Sequence, residues 1–218
     1  MAEASAGRKF RIACLGDSIT FGHGVSESRK KDAWPFVLAS LLGNDFEVKN
    51  YGVNGSCASA LADFPYESSG LLEKALAFSA DLYILMLGSN DTKPCNWNAY
   101  AYSEGLEDIV DTILGSMPQD EGGRERLILM LPPKAFCGAD GFTAYDVDDS
   151  LIRDGVLPAI RAAAQKRGLK TIDLYSITKD HPEYFMDGVH PNVPGNRKIA
   201  EYIFPQISGL FRSWGSAF

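Results

Sequence analysis

Apolar residues recur along this chain in two rhythms. Apolar-rich runs occupy 10–15, 82–87 and 127–131, near-continuous in 82–87, with a short one at 46–48 and a more mixed one at 169–174. Such runs suit strands covered on both faces. Between them, apolar positions return every three or four residues, as on the buried face of a helix. The ends of these segments are readable. Asp32 is placed to cap a helix through Leu42 that Gly43 stops, and Ser68 or Ser69 to cap one through Phe78. The segment 98–117 is long and amphipathic. Asp148 or Asp149 opens a helix closed by Gly168, and Pro194 fits the first turn of a final helix reaching Phe211.

Strand and helix alternate five times, which predicts one α/β domain over residues 1–218, with residues 1–8 as a flexible N-terminus. The expected architecture is a three-layer α/β/α sandwich around a five-stranded parallel sheet with right-handed crossovers, in the flavodoxin-like order 2-1-3-4-5. No repeat, low-complexity tract or linker interrupts it. The Gly-, Pro- and Asp-rich segment 132–147 is the longest loop and a candidate wall or lid for a site.

Composition narrows the function. A hydrophobic fraction of 45% supports a sizeable core, and a formal charge of −7 argues against a nucleic-acid partner or an anionic membrane surface. The run 82–87 is about a third of the roughly 20 residues that a membrane span needs. No apolar leader precedes the first strand, so a cytoplasmic protein is expected, or a secreted one if a leader has been removed. The four cysteines (Cys14, Cys57, Cys95, Cys137) form no CxxC pair and no Cys/His cluster, so no metal site is expected. Pairing among Cys57, Cys95 and Cys137 is left open, with free thiols the default in a reducing compartment.

In doubly wound sheets, ligands bind beyond the carboxyl ends of the strands. Four polar or Gly-rich segments fall there: Gly16-Asp17-Ser18, Asn54-Gly55-Ser56, Gly88-Ser89-Asn90-Asp91 and Asp187-Gly188-Val189-His190. A serine hydroxyl needs a base in hydrogen-bond reach, itself oriented by a third group. Of three histidines, only His190 has an acid three residues earlier in a loop at this edge, so Ser18, Asp187 and His190 are the candidate triad. Backbone N–H groups of Ser18 and Gly55 and the Asn90 amide come from neighbouring strand ends and are the candidate oxyanion donors. His23 reads as a solvated loop histidine, with a substrate contact as the alternative, and His181, beside Pro182, as a structural or surface residue.

These four ordered blocks, GDS, the Gly55 block, GSND and DGVH, resemble those of the SGNH (GDSL-type) hydrolases, over about residues 10–205. The resemblance implies a serine nucleophile at Ser18, an oxyanion hole from Ser18, Gly55 and Asn90, a triad completed by Asp187 and His190, and no cofactor. The stretches Asn90 to Pro94 with Trp97, and Asp187 to Gly195, are most similar to carbohydrate acetylesterases and sialate O-acetylesterase-like members. The expected activity is a serine esterase acting on short acyl esters, acetyl foremost, of a small molecule or saccharide. Asp17, Trp34, Trp97 and Phe136 are candidate substrate contacts, within a wider set of loop aromatics (Tyr66, Tyr100, Phe142, Tyr145) suited to stacking on a sugar. A lysophospholipase or thioesterase of the same family is the alternative, although its first block commonly continues GDSLS where this chain has GDSIT. A non-catalytic flavodoxin-like binding module is opposed by the absence of GxxxxGK[ST] and by Glu27, which stands where GxGxxG needs its third glycine.

Overall fold

The computed structural model describes residues 8–117, 123–139 and 141–214; the expected flexible N-terminus lies almost wholly outside these. Five strands, β1 (Phe10–Gly16), β2 (Phe46–Gly52), β3 (Leu82–Met86), β4 (Leu127–Leu131) and β5 (Lys170–Asp173), form one parallel sheet in the order β2-β1-β3-β4-β5. The three central strands are buried on both faces and alternate residues feed two cores. Ala13, Leu15, Tyr83, Leu85, Leu127 and Leu129 pack on one side, against the helices Leu71–Ala77, Ala99–Gly115 and Leu157–Arg167. Ile12, Cys14, Ile84, Met86, Ile128 and Met130 pack on the other, against the helices Trp34–Leu42 and Val193–Trp214.

The register positions the site. Gly16 lies opposite Gly52 on one side and Met86 on the other, so β1, β2 and β3 end level and release their loops side by side. β2 runs four residues beyond its apolar stretch because pairing with β1 continues to that edge. The polar residues Lys49 and Asn50 are tolerated there because β2 has only one neighbouring strand.

Two helix starts and one helix interior differ from the pattern-based expectation. Asp32 closes a short turn, Arg29–Asp32, and the cap of Trp34–Leu42 is Ala33, which offers no side-chain oxygen. The acceptor comes instead from the last helix: the Trp34 N–H donates to Asn196 Oδ1 at 2.9 Å. Gly70, in the left-handed conformation, precedes Leu71–Ala77, while the Ser69 hydroxyl accepts from the Leu71 N–H. The segment opened by Asp148 and closed by Gly168 is interrupted by a π-turn, Ile152–Val156, around Gly155, against which the Trp97 ring packs; a Cβ there would come within 2.4 Å of that ring. Among the described residues, no helix is long and apolar enough to cross a membrane.

Candidate active site

The turn after β1 is held by contacts that leave little freedom. Ser18 opens a single helical turn, Ser18–Phe21, whose N-cap is Asp17: its Oδ1 accepts from the Ile19 N–H at 2.9 Å. A Cβ on Gly16 would lie 2.4 Å from Thr20 Oγ1 and 2.5 Å from the Met86 carbonyl oxygen, and one on Gly52 would lie 2.2 Å from the Phe21 nitrogen. Two bare backbones therefore let the turn sit directly on the ends of β2 and β3. Asn50 clamps it by donating from Nδ2 to the Thr20 carbonyl at 2.7 Å while its Oδ1 accepts from the Gly52 N–H.

Two loops complete the arrangement. After β2, residues 53–56 form a turn closed by the Ser56 N–H on the Val53 carbonyl, with Gly55 at φ +79°, a value that favours glycine at the third position of a type II turn. After β3, Asn90 opens a short 3₁₀ turn, Asn90–Thr92, and donates from Nδ2 to the Ser56 carbonyl at 3.1 Å, which leaves its second amide hydrogen for the pocket. Asp91 and Asn96 brace this pair of loops. The fully buried Asp91 carboxylate accepts from the N–H groups of Ala58 and Ser59, and Asn96 donates to the Asn90 carbonyl at 3.1 Å.

The structure brings Ser18, His190 and Asp187 into line. His190 Nε2 is 2.9 Å from Ser18 Oγ and His190 Nδ1 is 2.7 Å from Asp187 Oδ2, while Asp187 Oδ1 accepts the N–H groups of Val189 and His190. Burial acts to raise the Asp187 pKa, but the His190 ring and the two backbone donors outweigh it and hold the carboxyl at about 2. Ser18, Gly55, Asn90 and His190 all line one cavity of about 200 Å³, whose other walls include His23, Lys93, Tyr145 and Val189.

The four candidate substrate contacts lie outside this cavity. Asp17 is fully buried beneath the turn, where burial raises its pKa to about 6 against the opposing Ile19 N–H and His190. Trp34 is fully enclosed in the core beside the last helix. Trp97 is half-buried against Gly155 and Tyr102. Phe136 packs on Phe185, ring centroids 5.2 Å apart, behind the Asp187 loop. Asp17 braces the turn through its local cap on Ile19, a role its place in the sequence already suggests, whereas the three aromatics are recruited by packing that local sequence does not reveal. The residue missed is Lys93; His23 lines the cavity, which agrees with its alternative reading as a substrate contact rather than the solvated one. Tyr145 belongs to the wider aromatic set, and the loop at 132–147 does supply a wall through Tyr145 and Val147. His181 is half-exposed and pairs with Glu183. All four cysteines are free, Cys14 and Cys57 buried, Cys95 and Cys137 exposed. Among the described residues, no cluster of His, Cys, Asp or Glu could hold a metal ion.

A Gly-bounded serine turn, a histidine and a carboxylate in line, and amide donors at the same sheet edge are the equipment of a carboxylic ester hydrolase. The chain belongs to the GDSL-like lipase/acylhydrolase family, whose sequence profile matches residues 14–198. It is 32% identical over 211 residues to an acetylxylan esterase of Xylanibacter ruminicola, covering 90% of this chain and 43% of that protein. It is 23% identical to a multidomain esterase of Ruminococcus flavefaciens, covering 96% of this chain and 30% of that protein. The chain thus spans less than half the length of these curated relatives. A carbohydrate acetylesterase family member from Sinorhizobium meliloti superposes with a TM-score of 0.68 at 26% identity, covering 91% and 97% of the two chains. The aryl esterase of M. smegmatis shares the fold, with a TM-score of 0.73 at 23% identity over 92% and 99% of the chains.

Proposed function

We propose that this protein is a serine esterase that removes short acyl groups, acetyl foremost, from a carbohydrate through a covalent acyl-enzyme. Ser18 Oγ attacks the ester carbonyl carbon as its proton passes to His190 Nε2. The tetrahedral oxyanion is received by the N–H groups of Ser18 and Gly55 and the free amide hydrogen of Asn90. The intermediate collapses, the C–O bond to the alcohol breaks, and the leaving oxygen takes the proton from His190. A water molecule then attacks the acyl-enzyme, giving its proton to His190, which returns it to Ser18 as the free acid leaves. Asp187, ionised at neutral pH, fixes the ring with Nδ1–H towards itself and Nε2 towards Ser18.

The observation that carries this reading is the unbroken line from Asp187 Oδ2 through His190 to Ser18 Oγ, opening on a cavity that Gly55 and Asn90 also line. A volume of about 200 Å³ is below the roughly 300–1,000 Å³ of pockets for drug-sized ligands, which suits a short acyl chain. The carbohydrate is supported by the likeness to the Xylanibacter acetylxylan esterase and the Sinorhizobium carbohydrate acetylesterase family member. The test measures acetate released from acetylated saccharides together with a series of esters of increasing acyl length. Activity greatest at acetyl and abolished by Ser18→Ala, with the fold retained, is the expected result. Turnover by Ser18→Ala sinks the mechanism, and activity rising towards long acyl chains sinks the acetyl assignment.

A further inference from the structure

We propose that His23 and Tyr145 form the subsite for the leaving alcohol, with a saccharide ring laid on Tyr145 and its hydroxyls bonding to the polar tips of both side chains. This rests on the esterase reading above and assigns its alcohol side. In that reaction the leaving oxygen takes its proton from His190 Nε2, so the alcohol must lie within hydrogen-bond reach of that atom. The oxyanion donors, Gly55 and Asn90, come from the ends of β2 and β3. The groups against the His190 ring come from elsewhere. His23, in the turn that follows the Gly22 cap, has its ring centroid 4.4 Å from that of His190; Tyr145 meets His190 edge-on at 5.1 Å. Both side chains border the catalytic cavity.

The pair has the chemistry a sugar requires. Tyr145 is 53% exposed at the mouth, which leaves an aromatic face free for the C–H face of a pyranose ring. Its hydroxyl lies 3.3 Å from His23 Nε2, a long hydrogen bond between two groups that each both donate and accept, and a sugar hydroxyl can replace it on either side. Burial and the neighbouring His190 lower the His23 pKa against the opposing charge of Asp187, which disfavours a second positive charge beside His190 when that ring takes the proton. The backbone is committed to this placement. Tyr145 and Asp146 are consecutive non-glycine residues at φ +61° and +57°, a conformation that L side chains rarely adopt and that surrounding structure must hold.

Acetylated xylobiose and ethyl acetate give the same acetyl-enzyme and differ only in the alcohol that leaves, ethanol being too small to span the two rings. The readout is the ratio of kcat/KM for the saccharide ester to that for ethyl acetate. The wild-type protein should favour the saccharide ester, and Tyr145→Ala and His23→Ala should each lower the ratio about tenfold, as for the loss of a stacked, hydrogen-bonded contact. Tyr145→Phe, which keeps the ring, should lower it less than Tyr145→Ala. The two positions lie on different segments, so a disturbed loop at Tyr145 leaves His23→Ala as an independent reading. An unchanged ratio in His23→Ala, or a wild-type protein with no preference for the saccharide ester, overturns the subsite. Absence of hydrolysis of both esters by the wild type overturns the esterase reading instead.

Discussion

Asp187 illustrates how much a single carboxylate does here. One oxygen holds the loop through two backbone N–H groups and the other faces His190 Nδ1 at 2.7 Å. In Asp187→Asn, the amide oxygen would keep the two backbone bonds and the NH₂ would turn to His190. Nδ1 must then accept, which places the ring proton on Nε2, where it can no longer receive the Ser18 proton. The expected outcome is a fall in kcat on the order of 10⁴-fold with an unchanged melting profile, by analogy with the same substitution in other serine triads. A fall of less than about tenfold would mean that tautomer control lies elsewhere. Asn90→Ala removes one oxyanion donor, so kcat should drop about 10²–10³-fold, while KM, read from initial rates, should change far less. These candidate groups were legible in the sequence because Ser18, Gly55 and Asn90 sit in short loops directly after β1, β2 and β3, where the fold class says chemistry belongs, and because His190 has an acid three residues before it. The helix Leu174–Thr178 that separates Asp187 and His190 from β5 was not foreseen. The substrate-contact aromatics were not legible in this way. Trp34 and Trp97 have the same local character as Tyr145, and only tertiary partners (the last helix, the bare Gly155) decide which ring is buried and which is left at the mouth.

The elements reach their places through a few long-range polar ties. Asn196 is fully buried in the last helix; it accepts from the Trp34 N–H, 162 residues away in sequence, and donates to the carbonyls of Pro191 and Asn192. It therefore caps one helix, anchors another and fixes the residue that follows His190. Asn196→Ala would leave a buried donor and at least one buried acceptor unpaired, at a penalty on the order of 2–4 kcal/mol, read as a lower urea midpoint with an unchanged slope. A midpoint within error of wild type would show that solvent reaches these groups. The strands followed from the apolar runs, because burial on both faces of β1, β3 and β4 imposes them, and the strand order followed from the doubly wound class that their alternation with helices indicates. The cap of Trp34–Leu42 was misplaced at Asp32 because local rules assume a cap adjacent in sequence, and this helix takes its acceptor from the far end of the chain. The π-turn at Ile152–Val156 was hidden for a related reason: it accommodates Trp97, which belongs to another segment.

Across the whole molecule, the buried carboxyls set a pH dependence that the net charge of −7 alone would not specify. Asp17 and Asp91 are both fully buried, and desolvation raises each from an ordinary carboxyl value of 3.8 to about 6, against the backbone N–H groups that bond them. Between those values the folded protein binds more protons than the unfolded chain, so its stability falls as pH rises from about 4 to about 6. A shift of this size corresponds to on the order of 3 kcal/mol at most for each group. Asp187 works in the opposite sense and in a different window. Held at about 2 when folded, it adds stability above the unfolded value, and that contribution is lost as pH falls from about 4 towards 2. The contributions of these three carboxyls taken together are therefore greatest near pH 4 and decline on both sides. The two residues differ as probes. Both Asp91 oxygens accept backbone N–H groups, so an amide there would set a donor against a donor. Asp17 binds backbone N–H through Oδ1 alone, and its carboxyl otherwise faces the Ser89 hydroxyl, which can also accept, so Asp17→Asn keeps the cap on Ile19 and removes one titrating group. Urea unfolding at pH 4 and pH 6.5 should show a smaller loss between the two in Asp17→Asn than in the wild type. An equal loss would place the pH dependence outside the turn that carries Ser18 and leave Asp91 as its source.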